Sequence, residues 1–158
     1  MATDYPVTMA VRFLRERDAA FEPHVFAWEK KGAKASAEVL GVDAAIVIKT
    51  LVFEKEDKSP LLVLMDGTHE VSTKTLARLL GAKVVRPCAT ARAESLTGYQ
   101  VGGISPFGTK TAMPVYMQED LILLDRAFIN GGKRGFLITM EPDAIRALLD
   151  ATLVDVAV

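Results

Sequence analysis

A chain of 158 residues that is half hydrophobic and a quarter charged has the balance of an ordinary globular protein, long enough to bury a core. Its net charge of −1 gives no overall field to draw it onto nucleic acid, so any RNA contact must come from local patches or a partner protein. No apolar run approaches the roughly 18 residues of a membrane-spanning helix. The N-terminus lacks the basic start and apolar block of a signal peptide, and the single Cys88 excludes an internal disulfide, so the expectation is a cytoplasmic protein with no membrane partner.

In chain order, Tyr5 to Asp18 carries Val7, Ala10, Val11 and Leu14 at helical spacing and predicts a helix. Phe21 to Trp28 alternates and predicts a strand, placed at a sheet edge by Pro23, whose nitrogen has no hydrogen to donate. Ala35 to Leu40 is a short helix stopped by Gly41. Ile46 to Phe53 and Leu61 to Met65 are aliphatic strands joined as a hairpin through the polar segment EKEDKSP. Ser72 or Thr73 caps a helix ending at Leu80 before Gly81, Lys83 to Arg86 is a short strand, and Thr90 to Leu96 is helical. Beyond the glycine-dense stretch TGYQVGGISPFG, strands are expected at Pro114–Gln118, Leu121–Leu124, Ala127–Asn130 and Gly135–Met140. A helix over Glu141–Asp150, with Pro142 in its first turn, and a last strand over Leu153–Val156 close the chain. Short strands interleaved with helices, without a regular βαβ repeat, linker or internal repeat, predict one α+β domain over 1–158 with a curled, barrel-like sheet.

The only histidines are His24 and His69, and with Cys88 they form no metal-ligand spacing, so no metal or other cofactor is expected. His24 reads as a structural strand residue and Cys88 as a small core hydrophobe. The segment Gly102-Gly103-Ile104-Ser105-Pro106-Phe107-Gly108 is the most unusual, because its glycines and proline confine the backbone to few shapes. Successive amides there can form a small anion-binding concavity, although a tight turn without a ligand fits the same residues. A nucleophile elbow draws an oxyanion donor from the residue after its serine. Here that residue is Pro106, which argues against Ser105 as an acyl-enzyme nucleophile. Lys49 interrupts an otherwise buried-type strand, either on the solvent face, which alternation slightly favours, or aimed into a cleft to neutralise a developing oxyanion or hold a phosphate. In Asn130-Gly131-Gly132-Lys133-Arg134-Gly135, glycines flank two cations in a turn that could grip RNA phosphates, or be an ordinary hairpin with solvated charges.

The strand VIKTLVF, the block TGYQVGGISPFGTK and the turn NGGKRGF occur in this order and spacing, with AVRFLRER, FEPHVF and STKTLARLLGAKVV between or before them. Together they resemble the YbaK/EbsC group of Cys-tRNA(Pro) deacylases, free-standing relatives of the editing domain of bacterial prolyl-tRNA synthetases. That resemblance implies an α+β domain with a mixed, barrel-like sheet surrounded by helices. It implies hydrolysis of mischarged aminoacyl-tRNA, most typically Cys-tRNA(Pro), by substrate-assisted cleavage with backbone stabilisation of the oxyanion. Its expected partners are aminoacylated tRNA and prolyl-tRNA synthetase. By matching position, Lys49, Gly102 and Gly103 are the expected catalytic residues. Phe26, Thr50, Ile104, Ser105, Pro106, Gly108, Gly131, Gly132, Lys133 and Arg134 are expected to surround the substrate. Phe26 stands where well-matched members have tyrosine and Leu137 where they have aspartate, which leaves alanine, serine or another small residue open as the removed amino acid. The alternatives are a non-catalytic nucleotide- or anion-binding module and a synthetase accessory subunit.

Overall fold

Thr8, not Tyr5, begins the first helix. In the computed structural model, which describes residues 4–158, the Thr8 hydroxyl accepts the Val11 N–H and starts α1 (Met9–Glu16). Val7 is left outside and exposed, while Ala10, Val11 and Leu14 are buried. β1 (Glu22–Val25) follows, then α2 (Ala33–Leu40), closed by Gly41 in the left-handed region. β2 (Ile48–Lys55) and β3 (Pro60–Asp66) form the expected hairpin. Ser72 caps α3 (Thr73–Leu80) by accepting the Thr75 N–H, and Gly81 stops it. β4 (Val85–Pro87), α4 (Thr90–Thr97), β5 (Val115–Gln118), β6 (Ala127–Lys133), β7 (Phe136–Met140), α5 (Pro142–Leu149) and β8 (Thr152–Val154) complete the order.

The α+β class stands, and the strand pairing is mixed: β3–β5 and β5–β8 are parallel, the remaining pairs antiparallel. The strands form two sheets, in the orders β1-β7-β6 and β4-β2-β3-β5-β8, and these do not close into a barrel. Among the described residues a single parallel bridge, Val47 to Phe128, links them. β1 lies at an edge, consistent with Pro23. The aliphatic run Leu121–Leu124 is not a strand: Glu119–Leu123 is a 3-10 helix. β5 already has β3 and β8 as neighbours, and the chain must turn there to reach β6 in the other sheet, burying Leu121 and leaving Leu123 85% exposed.

β3 is buried on both faces. Leu62 and Leu64 enter the main core with Leu14, Phe107, Met117 and Ile138, whereas Leu61, Val63 and Met65 pack beneath α3 with Phe53 and Leu76. A third small cluster, Ala37, Val47 and Leu137, seats α2. Among the described residues no helix is long and apolar enough to cross a membrane.

Candidate active site

β4 pairs with β2 only over Phe53–Lys55, so the Ile48–Leu51 half of β2 has β3 on one side and no paired strand on the other. A cleft of about 600 Å³ opens there. The start of α2 (Gly32, Ala33, Ser36), the start of α4 (Cys88, Thr90, Ala93), the loop residues Val101, Gly102 and Ile104, and Asn130 and Leu137 surround it. Neither α2 nor α4 has a side-chain N-cap, which leaves first-turn N–H groups beside the cleft.

Lys49 lines this cleft, and its side chain is 17% exposed, so it does not project into bulk water. Its Nζ donates to the His69 carbonyl at 2.6 Å and lies 3.7 Å from a Glu70 carboxylate oxygen that is itself well exposed. The turn presenting that carbonyl is built on Asp66, which accepts from Thr68 N–H at 2.8 Å and Thr68 Oγ1 at 2.6 Å and lies 3.0 Å from His69 Nδ1. Partial burial pushes the Asp66 carboxyl up, but the bonds from Thr68 and His69 outweigh it and hold the pKa below its ordinary 3.8. Thr50 also lines the cleft, and its Oγ1 is buried with no hydrogen-bond partner among the described residues.

In the glycine loop, Gly102 and Ile104 face the cleft, whereas Gly103, Ser105, Pro106 and Phe107 are buried outside its lining. Gly102 has φ +96° and its carbonyl accepts from Asn130 Nδ2 at 3.2 Å. Gly103 lies against the backbone of Lys133 and Arg134, where a Cβ would stand 2.7 Å from Arg134 N. The Ser105 hydroxyl is committed to the Phe107 N–H at 3.2 Å. The Tyr99 hydroxyl donates to Phe107 O at 2.6 Å, and burial pushes its pKa up to about 12. Gly108 packs against Met9 of α1.

The 130–135 turn is tied down. Gly131 packs on the Phe136 ring, Gly132 lies beside Tyr99 and Thr8, and Lys133 is exposed. The Arg134 guanidinium stacks 4.4 Å from the Trp28 ring centroid, and its Nε donates to Val101 O at 2.9 Å. Phe26 sits in the small core beneath α2 and does not line the cleft. Of the residues expected from sequence, the structure therefore brings Lys49, Thr50, Gly102 and Ile104 together on the cleft, while the others pack behind it or stand apart.

Two cleft residues carried no functional signal in the sequence. In the sequence Asn130 stands only as the end of the strand Ala127–Asn130 and the start of the following turn. Cys88, read as core, borders the cleft with its Sγ 3.6 Å from Glu54 Oε1. Burial, the Glu54 hydrogen bond and the Glu54 charge push this thiol above its ordinary 9.0. Glu54, 4% exposed, is met by Arg86 at 3.0 Å, Arg92 at 2.8 Å and Lys58 at 3.6 Å. Burial alone would raise its carboxyl, yet the Arg86 and Cys88 hydrogen bonds and the nearby cations leave the pKa below 4.5. Among the described residues one acidic group converges as a metal site might, Glu119, Asp120 and Asp155. None of the three lines the cleft, and buried Gln118 donates to Asp120 and Asp155 at 2.9 and 3.0 Å.

Residues 29–148 match the aminoacyl-tRNA editing domain, and the chain belongs to that family. It is 30% identical over 151 residues to an Enterococcus faecalis protein carrying the provisional name Cys-tRNA(Pro)/Cys-tRNA(Cys) deacylase EbsC, covering 94% of this chain and 92% of that one. It is 33% identical over 100 residues to the proline–tRNA ligase of Ligilactobacillus salivarius, covering 63% of this chain but only 17% of the ligase. A solved structure provisionally described as a trans-editing enzyme for prolyl tRNA synthetase superposes with a TM-score of 0.87 at 26% identity, covering 99% of each chain.

Proposed function

We propose that this protein hydrolyses the ester joining a wrongly attached small amino acid to tRNA, acting in trans, with Cys-tRNA(Pro) as the leading substrate. The observation that carries this reading is the convergence of the Lys49 ammonium and the Gly102 loop on one cleft. Its volume of about 600 Å³ lies within the roughly 300–1,000 Å³ of small-molecule sites, which suits a terminal aminoacyl-nucleoside and not a helical stem.

An aminoacyl ester is already activated, so positioning and oxyanion stabilisation suffice to break it. Water adds to the acyl carbon, the carbonyl oxygen takes up negative charge facing backbone N–H groups, and the bond to the ribose oxygen then breaks. That oxygen leaves with a proton, and the free amino acid and the tRNA 3′ end are released. Where the substrate carries a thiol, that group can attack in place of water and expel the ribose oxygen, leaving a cyclic thioester that water then opens to the free amino acid; a neighbouring ribose hydroxyl can orient the attacking water. Lys49, held on the His69 carbonyl, retains donors to orient the ester or its ribose. The unpartnered Thr50 hydroxyl supplies a further polar contact. Leu137 makes one wall apolar, which suits alanine, serine or cysteine side chains and rejects charge. Prolyl-tRNA synthetase, held in a complex, would supply the tRNA selection that a chain of net charge −1 does not.

The test is a deacylation panel on tRNA(Pro) charged with cysteine, alanine, serine or proline, using Lys49→Ala as control. The expected result is release of one small non-cognate amino acid, lost in Lys49→Ala and sharpened toward tRNA(Pro) by added synthetase. No release from any member of the panel, or undiminished release by the Lys49 variant, refutes the reading.

A further inference from the structure

Between Val101 N and Gly103 N, one polar backbone atom remains unclaimed. The Val101 N–H donates to Glu94 Oε2 at 2.9 Å, and Val101 O accepts from Arg134 Nε at 2.9 Å. Gly102 O accepts from Asn130 Nδ2 at 3.2 Å, and the Gly103 N–H donates to Gln100 O at 2.8 Å. Only the Gly102 N–H has no acceptor among the described residues. It belongs to a residue on the cleft, unlike the Gly103 N–H, which the turn consumes.

A peptide is planar and trans, so the carbonyl of Val101 and the N–H of Gly102 point in opposite directions within one rigid unit. Holding Val101 O therefore aims Gly102 N–H. The next unit, from Gly102 C=O to Gly103 N–H, is held at both ends, by Asn130 and by Gln100 O. Gly102, at φ +96°, has broad conformational freedom of its own, so its orientation depends on these outside contacts. The Asn130 amide has no freedom to flip: its Oδ1 accepts from Gly132 N–H at 2.7 Å and Lys133 N–H at 3.2 Å, which turns Nδ2 toward Gly102. Arg134 is likewise fixed by its stack on Trp28. Its charged donation also polarises the Val101–Gly102 peptide and strengthens the N–H at the far side.

We propose that Arg134 and Asn130 are positioning residues that aim the Gly102 N–H as the oxyanion donor, and that Arg134 does this in place of gripping an RNA phosphate. This inference rests on the deacylase reading above. The two roles for Arg134 differ in kinetics. A phosphate contact, when lost, raises KM and lowers the slope of log affinity against log salt by about one, while kcat holds. A lost positioning contact lowers kcat and leaves the salt slope alone.

The experiment compares Arg134→Lys, which keeps the charge but loses the planar Nε–H donor, and Asn130→Asp, which keeps the acceptor for the turn but loses the Nδ2 donor. Single-turnover deacylation across a salt series is read beside the ¹H–¹⁵N resonance of Gly102, with thermal unfolding confirming that each variant is folded. Both variants are expected to lose about 10- to 100-fold in kcat with KM and salt slope unchanged, and to move the Gly102 amide resonance. Wild-type kcat in Arg134→Lys, or a loss seen only in KM and salt slope, overturns the assignment. If wild type releases no amino acid, the deacylase reading fails. The Gly102 resonance still decides the positioning claim, because an unmoved signal in both variants refutes it.

Discussion

Gly103→Ala tests the packing of the loop most directly. The added Cβ would lie 2.7 Å from Arg134 N, 2.8 Å from Lys133 C and 3.0 Å from Lys133 Cα. All three neighbours are backbone atoms, so no side chain can rotate away. Restoring an ordinary 3.4 Å contact requires the 103 and 133–134 segments to part by about 0.7 Å. Overpacking of this kind costs about 1–3 kcal/mol, which lowers Tm by roughly 2–12 °C for a chain of this size. The same displacement moves the Gly102 amide relative to Lys49. A misplacement near 1 Å costs on the order of 10²-fold in rate, so deacylation should fall by at least about 10-fold. Gly81→Ala is the control: φ is +67° and nothing lies within 4 Å, so it meets backbone strain of about 1 kcal/mol but no steric clash. Circular-dichroism melts and single-turnover deacylation should show both variants less stable and only Gly103→Ala slow. Wild-type activity and Tm in Gly103→Ala would refute the reasoning. Equal activity loss in Gly81→Ala would attribute the effect to stability alone.

Asp66→Asn should weaken the turn that holds the Lys49 ammonium and reduce kcat by about 10-fold with little change in KM, measured on whichever charged tRNA the panel selects. Lys49→Arg should fail to restore activity, because a forked guanidinium does not fit a site built for one ammonium on a single carbonyl; recovery to wild-type rate would contradict this. The Glu54 carboxyl has a folded pKa below its ordinary 4.5, so its contribution is fully present above pH 4.5 and is lost as the pH falls through the folded value. Acid unfolding of Glu54→Gln should accordingly be less steep below that pH than wild type. Cys88 should alkylate more slowly at pH 8 than an exposed cysteine, and faster in Glu54→Gln, because burial and the Glu54 carboxylate keep the thiol protonated.

Local chemistry made much of the fold readable. Ser72 and Gly81 bracket α3 because a hydroxyl cap and a left-handed stop act within one turn of the residues they serve. The β2–β3 hairpin declares itself through two aliphatic runs around a polar segment. The same polar segment hid Glu54, since its burial depends on Arg86 and Arg92 arriving 32 and 38 residues later. Leu121–Leu124 misleads for a related reason: four aliphatic residues suit a strand until the sheet has no place for one. Alternation assigns Lys49 to a face of β2 but cannot say what covers that face, and the answer lies in a carbonyl of the β3–α3 turn.

The candidate site shows the same division between local and distant causes. Glycine and proline advertise the 102–108 loop, where Gly102 and Gly108 take up positive φ of +96° and +65°, yet which amide stays free is decided elsewhere. Glu94 from α4, Asn130 from β6 and Arg134 from the β6–β7 turn each claim one loop atom, across sequence separations of 7, 28 and 33. The pairs that span 28 and 33 residues tie the loop to the three-stranded sheet, since Asn130 is in β6 and Arg134 in the turn that follows it, while Lys49 sits on the five-stranded sheet. One parallel bridge, from Val47, the residue that leads into β2, to Phe128 of β6, lies two residues before Lys49 and two before Asn130. The geometry between cation and amide donor therefore depends on how firmly the sheets are docked at that bridge. Ala37→Gly, which loosens the Ala37–Val47–Leu137 cluster from a position off the cleft, should therefore slow single-turnover deacylation with Lys49 and Gly102 unchanged.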